Sequence, residues 1–421
     1  MEISFLLLLF LLSCVVIRNK GVISYGSIFL LLFLSFHFVP LFYLYFNLDT
    51  LNFDFSPEKV AQAVLKSTTI CIAVILGYLL TLCTFRAKRG NAFEKSKSLS
   101  LKFWKQINLV VGAVIIINNI PVAHQALTHG YIDIYAQPSI FLPIRNVTIF
   151  PIYVFSLFYL IFARINSLDS GRKKIGYLFS IVFILVVLSF LLTGSRSIVI
   201  YLMLSLVALL SSKYKFKIST YAPHTFGIVM ITALVGLIRD GSIFDINASE
   251  LLLRPVIELL NTSIILFNYE SIIDKLNVTG VRYLAGLLLL FPATLLSSLG
   301  LETPLLLSQQ YVNTIDPGWA DAGGGFGFSL VVEYYLLGGS WWAWFPALLS
   351  GMTIGLVDFY VRSFDISKAV LANSLGFFMF FAIRGEIIEL FRPIAVILFL
   401  YFLNRMYRSL GSMQKSQLVK L

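Results

Sequence analysis

The chain is 421 residues long, with 58% hydrophobic residues, 13% charged residues, 38 phenylalanines and a formal net charge of +11. That composition excludes a water-soluble domain and describes an all-α polytopic membrane protein. The positive charge lies mostly in short loops that fix orientation, which argues against a nucleic-acid surface.

Residues 3–17 are apolar but lack a basic leader and a small-residue cleavage site, so they read as a retained helix, followed by Arg18 and Lys20. A second span covers 22–46, and the loop 47–58 carries Asp49, Asp54 and Glu58 without a base, as an external loop should. The third span is 60–85. The loop after it sets Arg86, Lys88, Arg89, Lys95, Lys97, Lys102 and Lys105 against Glu94 alone, and is the strongest cytoplasmic signal in the chain. From that anchor the spans alternate in direction. Residues 107–123 run outward to an external loop starting at His124, and 144–165 return. Residues 175–192 run out to the turn Thr193-Gly194-Ser195-Arg196-Ser197, and 198–210 come back to Lys213, Lys215 and Lys217.

Span 222–238 then delivers the chain to a long external region, 239–325, in which 250–273 and 281–296 either both span or both lie in the external interface, where they can form an amphipathic helical lid; either choice leaves 301–325 outside. Residues 327–337, 341–360, 369–382 and 393–403 complete the set, with Arg362 and Lys368 inside and a basic tail from Arg405. The whole is one transmembrane domain, 1–421, of about eleven to thirteen spans. Cys14, Cys71 and Cys83 all lie in apolar runs, so no disulfide framework or metal site is expected.

The chemistry is suggested by arginines on the face where arginine should be scarce: Arg196, Arg239, Arg254, Arg282, Arg384 and Arg392. Asp240, Glu250, Glu333, Glu386 and Glu389 are acidic company for them, so internal ion pairs are one reading. The other is an anionic ligand held by bidentate guanidinium contacts, for which phosphate or diphosphate has the right shape. A Gly-rich loop from Asp316 to Gly325 brings Asp316, Trp319 and Asp321 to the entrance of the next apolar run. Inside that run Glu333 is costly unless it pairs with an arginine or works as a base.

The order of these segments resembles a known family. Thr193-Gly194-Ser195-Arg196-Ser197 after a membrane helix, Gly280-Val281-Arg282-Tyr283-Leu284 leading to Pro292, the stretch GGGFGFSLVVEYYLLGG at 323–339, and Arg384-Gly385 to Arg392 are similar to the oligosaccharide repeat-unit polymerases. These form the Wzy or O-antigen polymerase group, which includes the enterobacterial common antigen polymerase; the likeness covers roughly 191–403. The resemblance implies a GT-C-like helical bundle in the bacterial inner membrane, with its active site facing the periplasm. It implies a polymerase that moves the growing glycan from its undecaprenyl diphosphate to the non-reducing end of a new lipid-linked unit, with no metal or other cofactor. Its partners would be undecaprenyl-diphosphate-linked oligosaccharides, membrane lipids and a chain-length-regulating co-polymerase.

By position, Arg196, Arg384 and Arg392 match the family's arginines and are expected to bind the diphosphate, with Arg239 and Arg254 as second choices. The base candidates are Glu333, Asp321 and Asp316, in that order. Tyr311 and Trp319 are the aromatic rings expected against sugar. Two alternatives stand beside this reading. An O-antigen ligase would use an external histidine, and the corresponding late loop has none. A lipid-linked glycan flippase or transporter would need basic residues in mid-helix, where Lys66 is the main example.

Overall fold

The computed structural model describes residues 8, 10–12, 14–15, 23–38, 57–85, 101–129, 149–168, 177–214, 262, 265–268, 270, 273–276, 282–283, 286–290, 296, 298–300, 306–321, 327–363 and 365–418. Among them every regular element is helical: α1 (Tyr25–His37), α2 (Pro57–Thr84), α3 (Leu101–His129), α4 (Phe150–Leu168), α5 (Tyr177–Leu192), α6 (Arg196–Tyr214), α7 (Leu307–Ile315), α8 (Pro317–Asp321), α9 (Leu330–Trp342), α10 (Trp344–Val361), α11 (Ile366–Ala382) and α12 (Phe391–Leu418), with short 3-10 turns at Ile273–Lys275, Gly286–Leu290 and Ile387–Leu390. Among the described residues four segments, Glu58–Thr84, Leu101–Ala126, Trp344–Val361 and Ile387–Tyr407, are long and apolar enough to cross a membrane, and five shorter apolar helices stand with them. The chain is an all-α polytopic membrane protein.

Two expectations change in detail. The sequence places the start of an external loop at His124; instead α3 continues through Pro121 to His129. Residues 327–337 were expected to form a span. The chain enters helix only at Leu330, and α9 is 13 residues long, about 20 Å, with a break at Gly339 where φ is +58°. It turns back at Ala343 into α10, and the Tyr334 hydroxyl reaches the Ser350 hydroxyl at 2.6 Å, so α9 and α10 form a hairpin of which α10 is the arm long and apolar enough to cross.

Helices in hydrocarbon gain little from hydrophobic contact and associate through close backbone approach and a few polar links. The α2–α10 seam shows the first. Gly351 and Gly355 lie on one face of α10, and a Cβ on Gly351 would run into the Val74 carbonyl, as one on Gly77 of α2 would into that of Leu348. The polar links join α3 to its neighbours: Asn108 donates to Ser156 of α4 at 2.9 Å and Asn119 to Ser189 of α5 at 2.8 Å.

The tightest polar knot is on α10. Asp358, 3% exposed, accepts from the backbone N–H groups of Tyr25 and Gly26 at 2.8 and 3.0 Å, and from the Tyr78 hydroxyl at 2.7 Å. Those amides open α1 and have no carbonyl partner within the helix, so a carboxylate from another helix takes them, aided by the helix dipole. Ser24 caps the same end from within the chain, its hydroxyl accepting from Ser27 N at 3.2 Å. The Tyr25 hydroxyl meanwhile sits 3.2 Å from the Ser205 carbonyl of α6 and 3.0 Å from Asn373 Oδ1 of α11. Five helices meet there.

This knot also fixes direction. Phe85 and Phe359, each just before a basic loop, have ring centroids 5.5 Å apart, and Asn404 near the basic tail donates to Ser367 at 2.6 Å. The helix ends next to basic loops therefore share one pole of the bundle. At the other pole lie the start of α6 and the end of α11, because the two run antiparallel: Tyr201 packs on Phe380 and Phe381, while Ser205 meets Asn373 through Tyr25.

Replacing Asp358 by Ala leaves two amides and a hydroxyl without their acceptor, which should cost about 2–4 kcal/mol. Asp358→Asn keeps one acceptor oxygen and should fall between. The melting temperatures of the purified variants in detergent test this; an Asp358→Ala protein melting with the parent would remove the knot from the account.

Candidate functional site

Arg196 is presented by a helix stop. Gly194 takes φ +71°, Gly194 N donates to Leu191 O at 3.0 Å and Ser195 N to Phe190 O at 2.9 Å, the paired bonds that close a helix through a left-handed glycine. Thr193 is 2% exposed, with its hydroxyl on Phe190 O at 3.1 Å. Helix α6 begins at once, so Arg196, half-buried, is its first residue. The glycine between Thr193 and Ser195 is what permits two helices to meet with no longer loop.

Arg384 is presented by a second turn, between α11 and the 3-10 turn Ile387–Leu390. The extended segment before α9 lies along it: Phe328 N donates to Arg384 O at 2.8 Å and Leu330 N to Ile383 O at 3.4 Å. Gly327 has φ +73°, and a Cβ there would stand 3.1 Å from Arg384 Nε and 3.3 Å from its Cγ. The Arg384 side chain is thus seated on the bare face of Gly327. Arg392 is the second residue of α12, half-buried, two residues after the end of the same 3-10 turn.

Two buried carboxylates hold this turn. Glu333, with no exposed surface, accepts from Ile387 N at 2.9 Å through Oε2 and from the Tyr283 hydroxyl at 2.9 Å through Oε1. Glu386, 1% exposed, accepts from Arg282 Nη2 at 2.8 Å through Oε2 and from Ser308 N of α7 at 2.7 Å through Oε1. Adjacent residues, Arg282 and Tyr283, therefore reach two different acids. Arg282 is itself 6% exposed, so its pair with Glu386 is desolvated on both sides and strong only while geometry is kept. The sequence offered two fates for Glu333, an arginine pair or base work; a tyrosine and a backbone amide hold it here.

His37, which the sequence reading passed over, completes the surround. Its Nδ1 lies 3.0 Å from the Phe33 carbonyl and its Nε2 3.1 Å from Ser329 Oγ, while Ser329 caps α9. A carbonyl only accepts, so Nδ1 carries the proton, and a neutral ring then accepts from Ser329 through Nε2. A lone imidazole in the last turn of an otherwise apolar helix was the available signal.

The remaining expected residues are spread differently. Asp316 and Asp321 are exposed, at the junction of α7 with α8 and at the end of α8. Tyr311, expected to meet sugar, is fully buried; burial pushes its phenol up to about 12, against the pull of a hydrogen bond with Asn268. Trp319 belongs to α8, and its ring lies outside the described residues, as do Arg239, Arg254 and most of the 239–325 region. Lys66 forms an ion pair with Glu270 and stands 5.8 Å from the centre of the Tyr335 ring. The structure thus gathers Arg384, Glu333, Glu386, Arg282 and Tyr283 around one turn, and sets Arg196 at the same pole.

A family model described as O-antigen polysaccharide polymerase Wzy matches residues 2–414. No curated protein and no solved structure matches the chain.

Gly327 and Gly339 provide an internal comparison, since both have positive φ but only Gly327 has Arg384 against it; around Gly339 a Cβ meets open space. With ψ at −168°, Gly339 is in a region essentially confined to glycine, and Gly339→Ala should cost the backbone strain alone, about 1–3 kcal/mol. Gly327→Ala should cost that plus displacement of Arg384, and so melt measurably lower than Gly339→Ala. Equal melting temperatures would mean that Arg384 does not depend on the glycine seat.

Proposed function

The chain belongs to the O-antigen polysaccharide polymerase Wzy family, and we propose that it polymerises undecaprenyl-diphosphate-linked repeat units at the periplasmic face of the bacterial inner membrane. In this reading the growing chain is the donor. A hydroxyl oxygen at the non-reducing end of a new lipid-linked unit attacks the donor's first anomeric carbon. The bond from that carbon to the phosphate oxygen breaks, its electron pair leaves with the undecaprenyl diphosphate, and the hydroxyl proton passes to a protein carboxylate.

The leaving group gains negative charge as that bond breaks, so groups that bind it more tightly then than before lower the barrier. Arg196, Arg384 and Arg392 take this part, with Arg239 and Arg254 as further candidates from the lid region. They do so as planar guanidinium forks matched to phosphate oxygens, without a metal ion. The observation that carries the reading is the placement of Arg196 and Arg384 at one pole, each at a glycine-dependent helix end, on antiparallel α6 and α11. Proton acceptance goes to Asp321 or Asp316, whose side chains are exposed, since both oxygens of Glu333 are engaged. Trp319 on α8 is next to that pair in sequence and is the ring proposed against sugar. A chain-length-regulating co-polymerase is the proposed protein partner. Transport is the weaker account, because Lys66, the mid-helix base that a charged path would need, is paired with Glu270.

Arg196→Ala and Arg384→Ala should each slow elongation of purified lipid-linked repeat units by about 100-fold or more, the scale for losing one preorganised donor to a developing anion. Cells carrying them should still display single repeat units at the surface. Elongation at the parent rate in both variants, or labelling of Ser195→Cys only from the cytoplasmic side, would defeat the proposal.

A further inference from the structure

The two buried acids of the site are arranged in a crossed pattern that base chemistry does not require. Arg282 and Tyr283 are neighbours in sequence, yet Arg282 reaches Glu386 on the Arg384 turn while Tyr283 reaches Glu333 on α9. Glu333 in turn takes Ile387 N from the Arg384 turn, and Glu386 takes Ser308 N from the start of α7. The three pieces at 282–283, 333 and 386–387 are thus closed into one ring of hydrogen bonds, and Ser308 is tied to it through Glu386. Every carboxylate oxygen in the ring has a donor.

We propose that Arg282–Glu386 and Tyr283–Glu333 form a crossed latch that docks the 282–283 and 308 segments on the Arg384 turn, making Glu333, Glu386, Arg282 and Tyr283 positioning residues for Arg384 and Arg392. Glu386 is two residues after Arg384, and Glu333 is six after Gly327, on which the Arg384 side chain rests. A shift of the turn therefore moves the guanidinium directly. Glu333 is enclosed, and its Oε2 faces an amide, so its work is to fix Ile387 N and Tyr283 and not to meet an acceptor hydroxyl. The latch also ties α7, which leads to Asp316 and Asp321, to the turn that carries Arg384. The kinetic part of this inference rests on the proposed diphosphate role of Arg384; the structural part does not.

Glutamine separates the acids. At 333 one amide oxygen can accept from Ile387 N while the Tyr283 hydroxyl reverses to accept from the amide nitrogen, so Glu333→Gln keeps the ring closed. At 386 both partners, a guanidinium and an amide, are donors that cannot reverse, so Glu386→Gln sets donor against donor on one side. Tyr283→Phe removes a single bond at nearly constant volume and guards against a Glu386 variant that fails to fold.

The test uses the full-length protein in lipid nanodiscs. Elongation of undecaprenyl-diphosphate-linked repeat units gives kcat and KM, and hydrogen exchange over residues 383–390 reports the turn without need of activity. Glu333→Gln should elongate within about fivefold of the parent, whereas loss of a general base removes about 100-fold or more. Glu386→Gln and Tyr283→Phe should lower kcat by about tenfold and threefold with KM within about threefold, the mark of a displaced transition-state group. Both should speed exchange over 383–390. Loss of elongation in Glu333→Gln with unchanged exchange would make Glu333 a base and overturn the latch. Unchanged kcat and exchange in both of the others would overturn it as well. A parent protein that binds but does not elongate the lipid-linked units would defeat the polymerase reading alone, and exchange would still decide the latch.

Discussion

A helix that begins or breaks inside a membrane protein leaves backbone N–H groups with no water to take them, and in this chain buried carboxylates take them from a distance in sequence. Asp358 accepts the first two amides of α1, Glu386 accepts Ser308 N of α7, and Glu333 accepts Ile387 N at the opening of the 3-10 turn before α12. Asp365 does the same locally for Ser367 N at 2.9 Å. Each acid is costly where it stands, and the positive end of a helix is what makes it tolerable. The arrangement works in both directions. Without the acids the helices could not stop where they do, and without those stops the acids could not be buried.

That exchange explains why the arginines gather at helix ends. Arg196 opens α6, Arg384 follows α11 and Arg392 is one residue into α12. A helix end fixed by capping is a rigid mount, more exact than a loop, and rigidity is what an anion site needs if charge is to be met without rearrangement in the transition state. The buried acids Glu333 and Glu386 are committed to backbone amides, a tyrosine and Arg282. Arg282 is drawn into a buried pair with Glu386 and serves structure.

The broad outline was legible because it rests on short-range signals. Apolar runs of membrane length and clustered lysines gave spans and their alternation, and the helix ends that adjoin basic loops do share a pole, as Phe85 with Phe359 shows. Thr193-Gly194-Ser195 was legible as a turn because glycine between two small polar residues is a strong stop. What escaped were facts set by partners far away in sequence. Asp358 sits in an apolar run like any misplaced acid until Tyr25 and Gly26, more than three hundred positions away, are brought to it. Hydropathy read 327–337 as a span because it counts apolar residues and not helix length, so it could not see the extended entry at Gly327 or the break at Gly339. Tyr311 looked like a sugar platform because an aromatic near a surface loop carries no mark of which way its ring faces; it is buried. Gly351 and Gly355, four apart in α10, were a readable sign of close helix contact that attention to charge left aside.

The seam they form connects the membrane half of the molecule to the site. With Gly77 against Leu348 and Gly351 against Val74, α2 and α10 cannot slide or rotate without backbone collision, so they act as one body. Helix α10 is pinned at one end by Asp358 and turns at the other into α9, whose first residues carry Ser329 and Glu333. His37, at the far end of the α1 helix that Asp358 caps, reaches Ser329. Two routes thus lead from the Asp358 knot to the start of α9, one through α10 and one through α1. Both end within five residues of Glu333. A mount held from two sides resists tilt in a way that one held from a single side does not, and it is on this mount that Gly327 offers Arg384 its seat.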